Sequence, residues 1–114
     1  MKREELFKKK ILDEMVANDF ARLNGKIMRT LGVFARPWMK GNNLKDASEQ
    51  EDDSDIYSSL DYLQQCNLIS VRVVGSTDPV EVYDFDIEEL EFRVTADGVK
   101  LLMMKKKDEL VELK

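Results

Sequence analysis

Histidine is absent from the 114 residues, cysteine occurs once and proline twice. Without histidine the chain lacks the commonest general base, the usual zinc ligand and the usual pH switch. The lone thiol, Cys66, excludes a disulfide framework and any multi-thiolate metal centre, and it reads as a small packed residue. No run approaches the roughly 20 apolar residues of a membrane helix. The start, Met1-Lys2-Arg3-Glu4-Glu5, has no apolar stretch behind its charges and so is not a secretory signal. A cytoplasmic protein without a membrane partner is expected. Also missing are a phosphate-cradling glycine loop, metal-ligand spacing and any Ser–His or Cys–His pair. The expectation is therefore no enzyme, with no catalytic residues, no cofactor and no metal. Carboxylate pairs such as Asp84/Asp86 and Glu88/Glu89 read as solvated charge, and Glu51-Asp52-Asp53 lacks the alternating spacing of a calcium loop.

What the chain has in excess is charge: 36% of residues are charged and 43% apolar. That balance predicts one domain with a small core and long solvated helices. The charge is segregated. Residues 1–45 carry net +6, residues 46–91 net -13 and residues 92–114 net +2. Within the acidic block Arg72 is the single cation, and Arg93 lies just beyond it.

Apolar positions at Phe7, Ile11, Leu12, Met15, Val16, Phe20, Leu23, Ile27 and Leu31 step by three and four, the mark of a helix. Asn24-Gly25 interrupts this pattern chemically, since both residues tolerate the conformation that ends helices. One long helix or two, about 3–23 and 26–35, fit; the pair is favoured, with Arg36-Pro37 closing the segment. Residues 44–50 suit a short helix capped by Asn42 or Asn43, and Ser54 and Asp55 open a clearer one ending at Asn67. The branched run 68–74 predicts a strand, 80–85 a short strand, and the alternation of Leu90, Phe92 and Val94 with charged or polar neighbours another. Thr95 then caps a last helix running to the end of the chain, with Lys105 and Glu109 as an i,i+4 pair and a glycine, Gly98, in its first turn to admit a close neighbour. Trp38 reads as a seal at one end of the core or the lining of a small effector pocket.

Two stretches, Leu60-Asp-Tyr-Leu-Gln-Gln-Cys-Asn-Leu-Ile69 and Arg93-Val-Thr-Ala-Asp-Gly-Val-Lys-Leu-Leu102, stand in an order that resembles the winged helix-turn-helix superfamily, with its MarR-, PadR- and ArsR-type regulators. The resemblance implies an α+β, mostly α fold: a winged helix-turn-helix with an extra N-terminal helix (1–24), a core (25–95) whose wing covers about 75–89, and a long C-terminal helix (96–114). It implies a non-catalytic DNA-binding transcriptional regulator whose helix at 54–66 enters the major groove while the wing meets the backbone. It also implies a homodimer formed through the N- and C-terminal helices.

The binding residues so designated are Ser54, Ser58, Asp61, Tyr62 and Gln65 on the outer side of that helix, with Arg72 and Arg93 beside it. Their electrostatics oppose a duplex, because affinity for nucleic acid comes largely from cations that neutralise phosphates. Two further readings follow from the charge. An acidic recognition surface suits a basic protein partner. Alternatively, duplex DNA is held on a basic flank of Lys8, Lys9, Lys10, Lys105, Lys106 and Lys107, if the first and last helices pack side by side.

Overall fold

The computed structural model describes the backbone of residues 3–33 and 37–113, and side chains from Val16 onward. The elements are α1 (Arg3–Gly32), β1 (Met39–Lys40), α2 (Gly41–Ala47), α3 (Asp53–Gln65), β2 (Ile69–Val73), β3 (Leu90–Val94) and α4 (Ala96–Leu102). They form a small, mostly helical α+β domain with one antiparallel sheet in the order β1-β3-β2. Alternation along the strands sets its two faces. Inward, Ile69, Val71 and Val73 oppose Val94, Phe92 and Leu90; outward, Ser70 opposes Arg93, and both Arg72 and Lys40 oppose Glu91. The inner face meets Leu23, Ile27, Met28 and Leu31 of α1 and Ile56, Leu60 and Leu63 of α3 in a single core. Each such side chain, removed from water, contributes about 1.5–3 kcal/mol.

The first segment is one helix, not the favoured pair. Asn24 and Gly25 lie in its middle and are buried, Asn24 completely. Asn24 Nδ2 donates to the Leu110 carbonyl at 2.8 Å, and the Glu112 N–H donates to the Ala21 carbonyl at 2.9 Å. A Cβ on Gly25 would overlap the Glu112 carbonyl. The glycine is thus needed for the close approach of another backbone, not for a turn. Arg36 of the expected closure lies outside the described residues.

The long C-terminal helix is also corrected: α4 stops at Leu102. Met104 adopts φ 62°, its N–H donates to the Leu101 carbonyl and that of Lys105 to the Lys100 carbonyl, which satisfies the last carbonyls and turns the chain. The following residues lie back along α1, so the Lys105/Glu109 helical pair does not form. Asn67, at φ 58°, ends α3 by the same geometry, as its sequence position predicts. The expected cap at Thr95 is present: its Oγ1 accepts from the Gly98 N–H at 3.1 Å. A Cβ on Gly98 would overlap the Leu68 carbonyl, so this glycine does admit a close neighbour.

Three smaller expectations fail at element edges. α2 begins at Gly41, before Asn42 and Asn43, with Lys40 at its N-cap. α3 begins at Asp53, with Asp52 as N-cap and no side-chain cap bond. Residues 80–85 form no strand, and the single bridge, Arg72 with Pro79, lies just before them; Val82–Asp84 and Ile87–Glu89 are 3₁₀ turns that sink Val82 and Ile87 into the core. β1 was not foreseen, because two residues are too few to show alternation.

Candidate interaction surface

α3 lays Ile56, Leu60 and Leu63 into the core and turns Ser54, Ser58 and Gln65 outward, as the helical spacing predicts, with Asp61 partly exposed. Tyr62 departs from this. It is half-buried, edge-on to Phe20 with ring centroids 5.4 Å apart, and its hydroxyl donates to the Asp108 carboxylate at 2.8 Å. Burial and then that hydrogen bond hold the phenol well above its ordinary pKa. Three other designated side chains are also engaged within the protein. Gln65 Nε2 donates to Asp61 Oδ2 at 2.7 Å, and Ser58 Oγ donates to the Ser54 carbonyl at 3.0 Å.

The loop 74–89 does not project freely. It folds against α3, where Tyr57 Oη donates to the Phe85 carbonyl at 2.7 Å and Gln64 Nε2 to the Val80 carbonyl at 2.6 Å. The Tyr57 and Tyr83 rings stack 5.7 Å apart, and Tyr83 Oη lies 3.4 Å from Ser58 Oγ. Burial, then the nearby Asp86 charge, raise the Tyr57 pKa. Helix and loop therefore form one continuous surface. Asp53 and Asp55 of α3 and Asp78, Glu81, Asp84, Asp86, Glu88 and Glu89 of the loop are all exposed.

The neighbouring cations are committed. Lys45 Nζ lies 2.8 Å from Glu88 and 3.5 Å from Asp53, tying α2 to both. The Glu88 hydrogen bond raises the Lys45 pKa, and the same bond lowers that of Glu88. Arg72 pairs with the mostly buried Glu91 on the outer sheet face and stacks over the Trp38 ring, 3.9 Å from its centroid. Trp38 is half-buried there and lines a cavity of about 380 Å³ with Gln64 and Pro79, instead of sealing the core. Arg93 is exposed on the same outer face, beside Ser70.

The parts of the basic flank are not brought together by two long helices. α4 touches α1 but ends before Lys105, Lys106 and Lys107, and Lys106 Nζ lies 3.9 Å from Asp97. The side chains of Lys8, Lys9 and Lys10 lie outside the described residues. Sequence reasoning missed Lys45, Tyr57 and Tyr83; a tyrosine amid acids in the loop was the available signal. Cys66 is half-buried with a free thiol.

Among the described residues, no three His, Cys, Asp or Glu side chains are grouped to hold a metal ion, and no helix is long and apolar enough to cross a membrane. Comparison with models of known families, with curated proteins and with solved structures gives no match in any of the three.

Proposed function

We propose that this chain is a non-catalytic winged-helix domain that recognises a basic protein surface through α3 and the loop 74–89. The observation that carries this reading is the set of exposed carboxylates on those two elements, with Lys45 of α2 beside them already paired with Glu88 and Asp53. Electrostatic complementarity of this kind speeds encounter and selects partners, while the same field repels phosphates. The winged assignment rests on the sequence resemblance together with the element order. A helix is followed by a short strand, two helices and a hairpin whose return strand lies between the other two.

The test is a fluorescence-anisotropy titration of a labelled lysine- and arginine-rich peptide and, separately, of a mixed-sequence duplex, both at low salt. Peptide binding that is lost on replacing Asp84, Asp86 and Glu89 with lysine supports the proposal. Duplex binding that falls steeply with salt, with no peptide binding, overturns it.

The second reading is a DNA-binding transcriptional regulator, favoured by the resemblance and by Arg93, which stands exposed on the outer sheet face. Under it, Lys8, Lys9 and Lys10 changed together to glutamate abolish duplex binding if the flank holds DNA. Ser58→Ala with Gln65→Ala does so if α3 enters the groove.

A further inference from the structure

We propose that the stretch of α1 from Ala21 to Arg29 is a docking groove for an extended peptide segment of another protein, apolar and acidic, in which the chain's own residues 110–113 sit as a displaceable occupant. The groove holds main chain. Asn24 Nδ2 donates to the Leu110 carbonyl at 2.8 Å, the Ala21 carbonyl accepts the Glu112 N–H at 2.9 Å, and Arg29 donates to the Glu112 carbonyl at 3.0 Å. Within the helix the Ala21 carbonyl already accepts the Gly25 N–H, so the tail uses its second lone pair. A backbone comes this near because Gly25 has no Cβ. Residues 111–113 have neither helix nor turn. Main-chain bonds of this kind supply affinity, and the pockets beside them select side chains.

Two observations show that the resident tail fits the groove incompletely. Asn24 is fully buried, yet its Oδ1 has no hydrogen-bond partner among the described residues. The tail uses the donor of that amide and leaves its acceptor unmet. An incoming segment that offers a carbonyl and an N–H together satisfies both. In addition, a cleft of about 380 Å³ lies between the tail and the end of α4, walled by Leu101, Met104, Val111 and Leu113. Apolar side chains larger than those of Val111 and Leu113 fill it better.

The tail is also built to leave. Met103–Lys107, which join it to α4, are all exposed, and Met104 bears a φ of 62° that is costly for a residue with a side chain. Among residues 103–113 only Val111 is buried. Charge sets the character of the competitor. The tail brings Asp108, Glu109 and Glu112, whereas the groove and cleft offer Arg29, Lys106 and Lys107. A segment of the tail's own sign is favoured there. The partner charge is opposite to that suited to α3 and the loop, and this inference does not depend on what they recognise.

Fluorescence anisotropy of a labelled synthetic peptide of residues 108–113, added to the full chain, tests it. The tether gives the resident tail an effective concentration on the order of millimolar, so the wild type is expected to bind this peptide weakly. Val111→Asp puts a charge at the buried position and empties the groove. That chain is expected to bind the peptide about tenfold or more tightly than the wild type does. Adding Gly25→Ala to the chain, or carrying Val111→Asp in the peptide, is expected to abolish binding, and Glu112→Lys in the peptide to weaken it several-fold. A peptide with Val111→Leu and Leu113→Phe is expected to bind the wild type itself and to hasten hydrogen exchange at the chain's Glu112 amide as the tail leaves. Circular dichroism verifies each fold, and Val111→Ala replaces Val111→Asp if the helical signal falls. No peptide binding to the emptied groove, binding that survives Gly25→Ala, or a Glu112 amide unmoved by the larger peptide overturns the proposal.

Discussion

The Gly25 Cα lies directly beneath the carbonyl of Glu112, so close that the space for a Cβ is filled by that oxygen. Around this contact Asn24 holds the Leu110 carbonyl and Arg29 holds the Glu112 carbonyl at 3.0 Å, so three residues of one helix grip the returning tail. The tail in turn delivers Asp108 to Tyr62 and buries Val111.

Gly25→Ala is expected to expel the tail and destabilise the full chain by about 2–3 kcal/mol, the scale of forced overpacking. In a chain ending after Lys107 the same change removes a helical glycine and stabilises by up to about 1 kcal/mol. Thermal melts of the four proteins measure both signs. A raised melting temperature in the full chain is the contrary result.

Tyr62 ties the tail to α3 only while its phenol keeps the proton. Its folded pKa lies above the ordinary 10.0, so its contribution is complete below that pH and is lost as pH rises through the folded value. Stability is expected to fall above about pH 10, and Tyr62→Phe to remove part of that fall while lowering stability at neutral pH. Urea melts across the alkaline range follow it.

Lys45 offsets the repulsion between Asp53 and Glu88 at an exposed site. Lys45→Ala is expected to lower the melting temperature at low salt and to match the wild type at about 1 M salt, where the screening length is near 3 Å. Glu88 titrates below its ordinary value. Its share of this pairing is therefore present above the unfolded carboxylate pKa and lost as pH falls through the folded one. A salt-independent deficit would place the effect of Lys45→Ala in packing instead.

Thr95→Ala removes the acceptor for the Gly98 N–H and the donor to the Asn67 carbonyl. A loss of about 1 kcal/mol is expected, with Thr95→Ser close to wild type. Denaturant midpoints at unchanged slope read this directly.

Local chemistry was written plainly where one residue serves one local need. Thr95 caps a helix, Asn67 takes the left-handed turn, Phe92 alternates with charged neighbours, and the sheet core follows. The acidic character of α3 and the loop was equally legible, because charge density at exposed positions needs no knowledge of contacts. What the sequence misdirected were residues whose partners lie far along the chain. Asn24-Gly25 has the composition of a helix end, yet it seats residues 110–112. The Met- and Leu-rich tail has the periodicity of a helix, yet it folds back against α1.

By itself, then, the order of residues determined the helical character of α1 and α3, the strands β2 and β3 with their buried alternation, and the sign of the surface. Tertiary structure alone decided that α1 runs unbroken, that α4 is short, that two residues before α2 complete the sheet, and that Tyr62 and Arg72 are each tied to a partner within the molecule. The reason is physical. Helix and strand preferences act over a few neighbours, whereas a backbone-to-backbone approach such as Gly25 to Glu112 depends on two segments more than 80 residues apart, and no local preference records it.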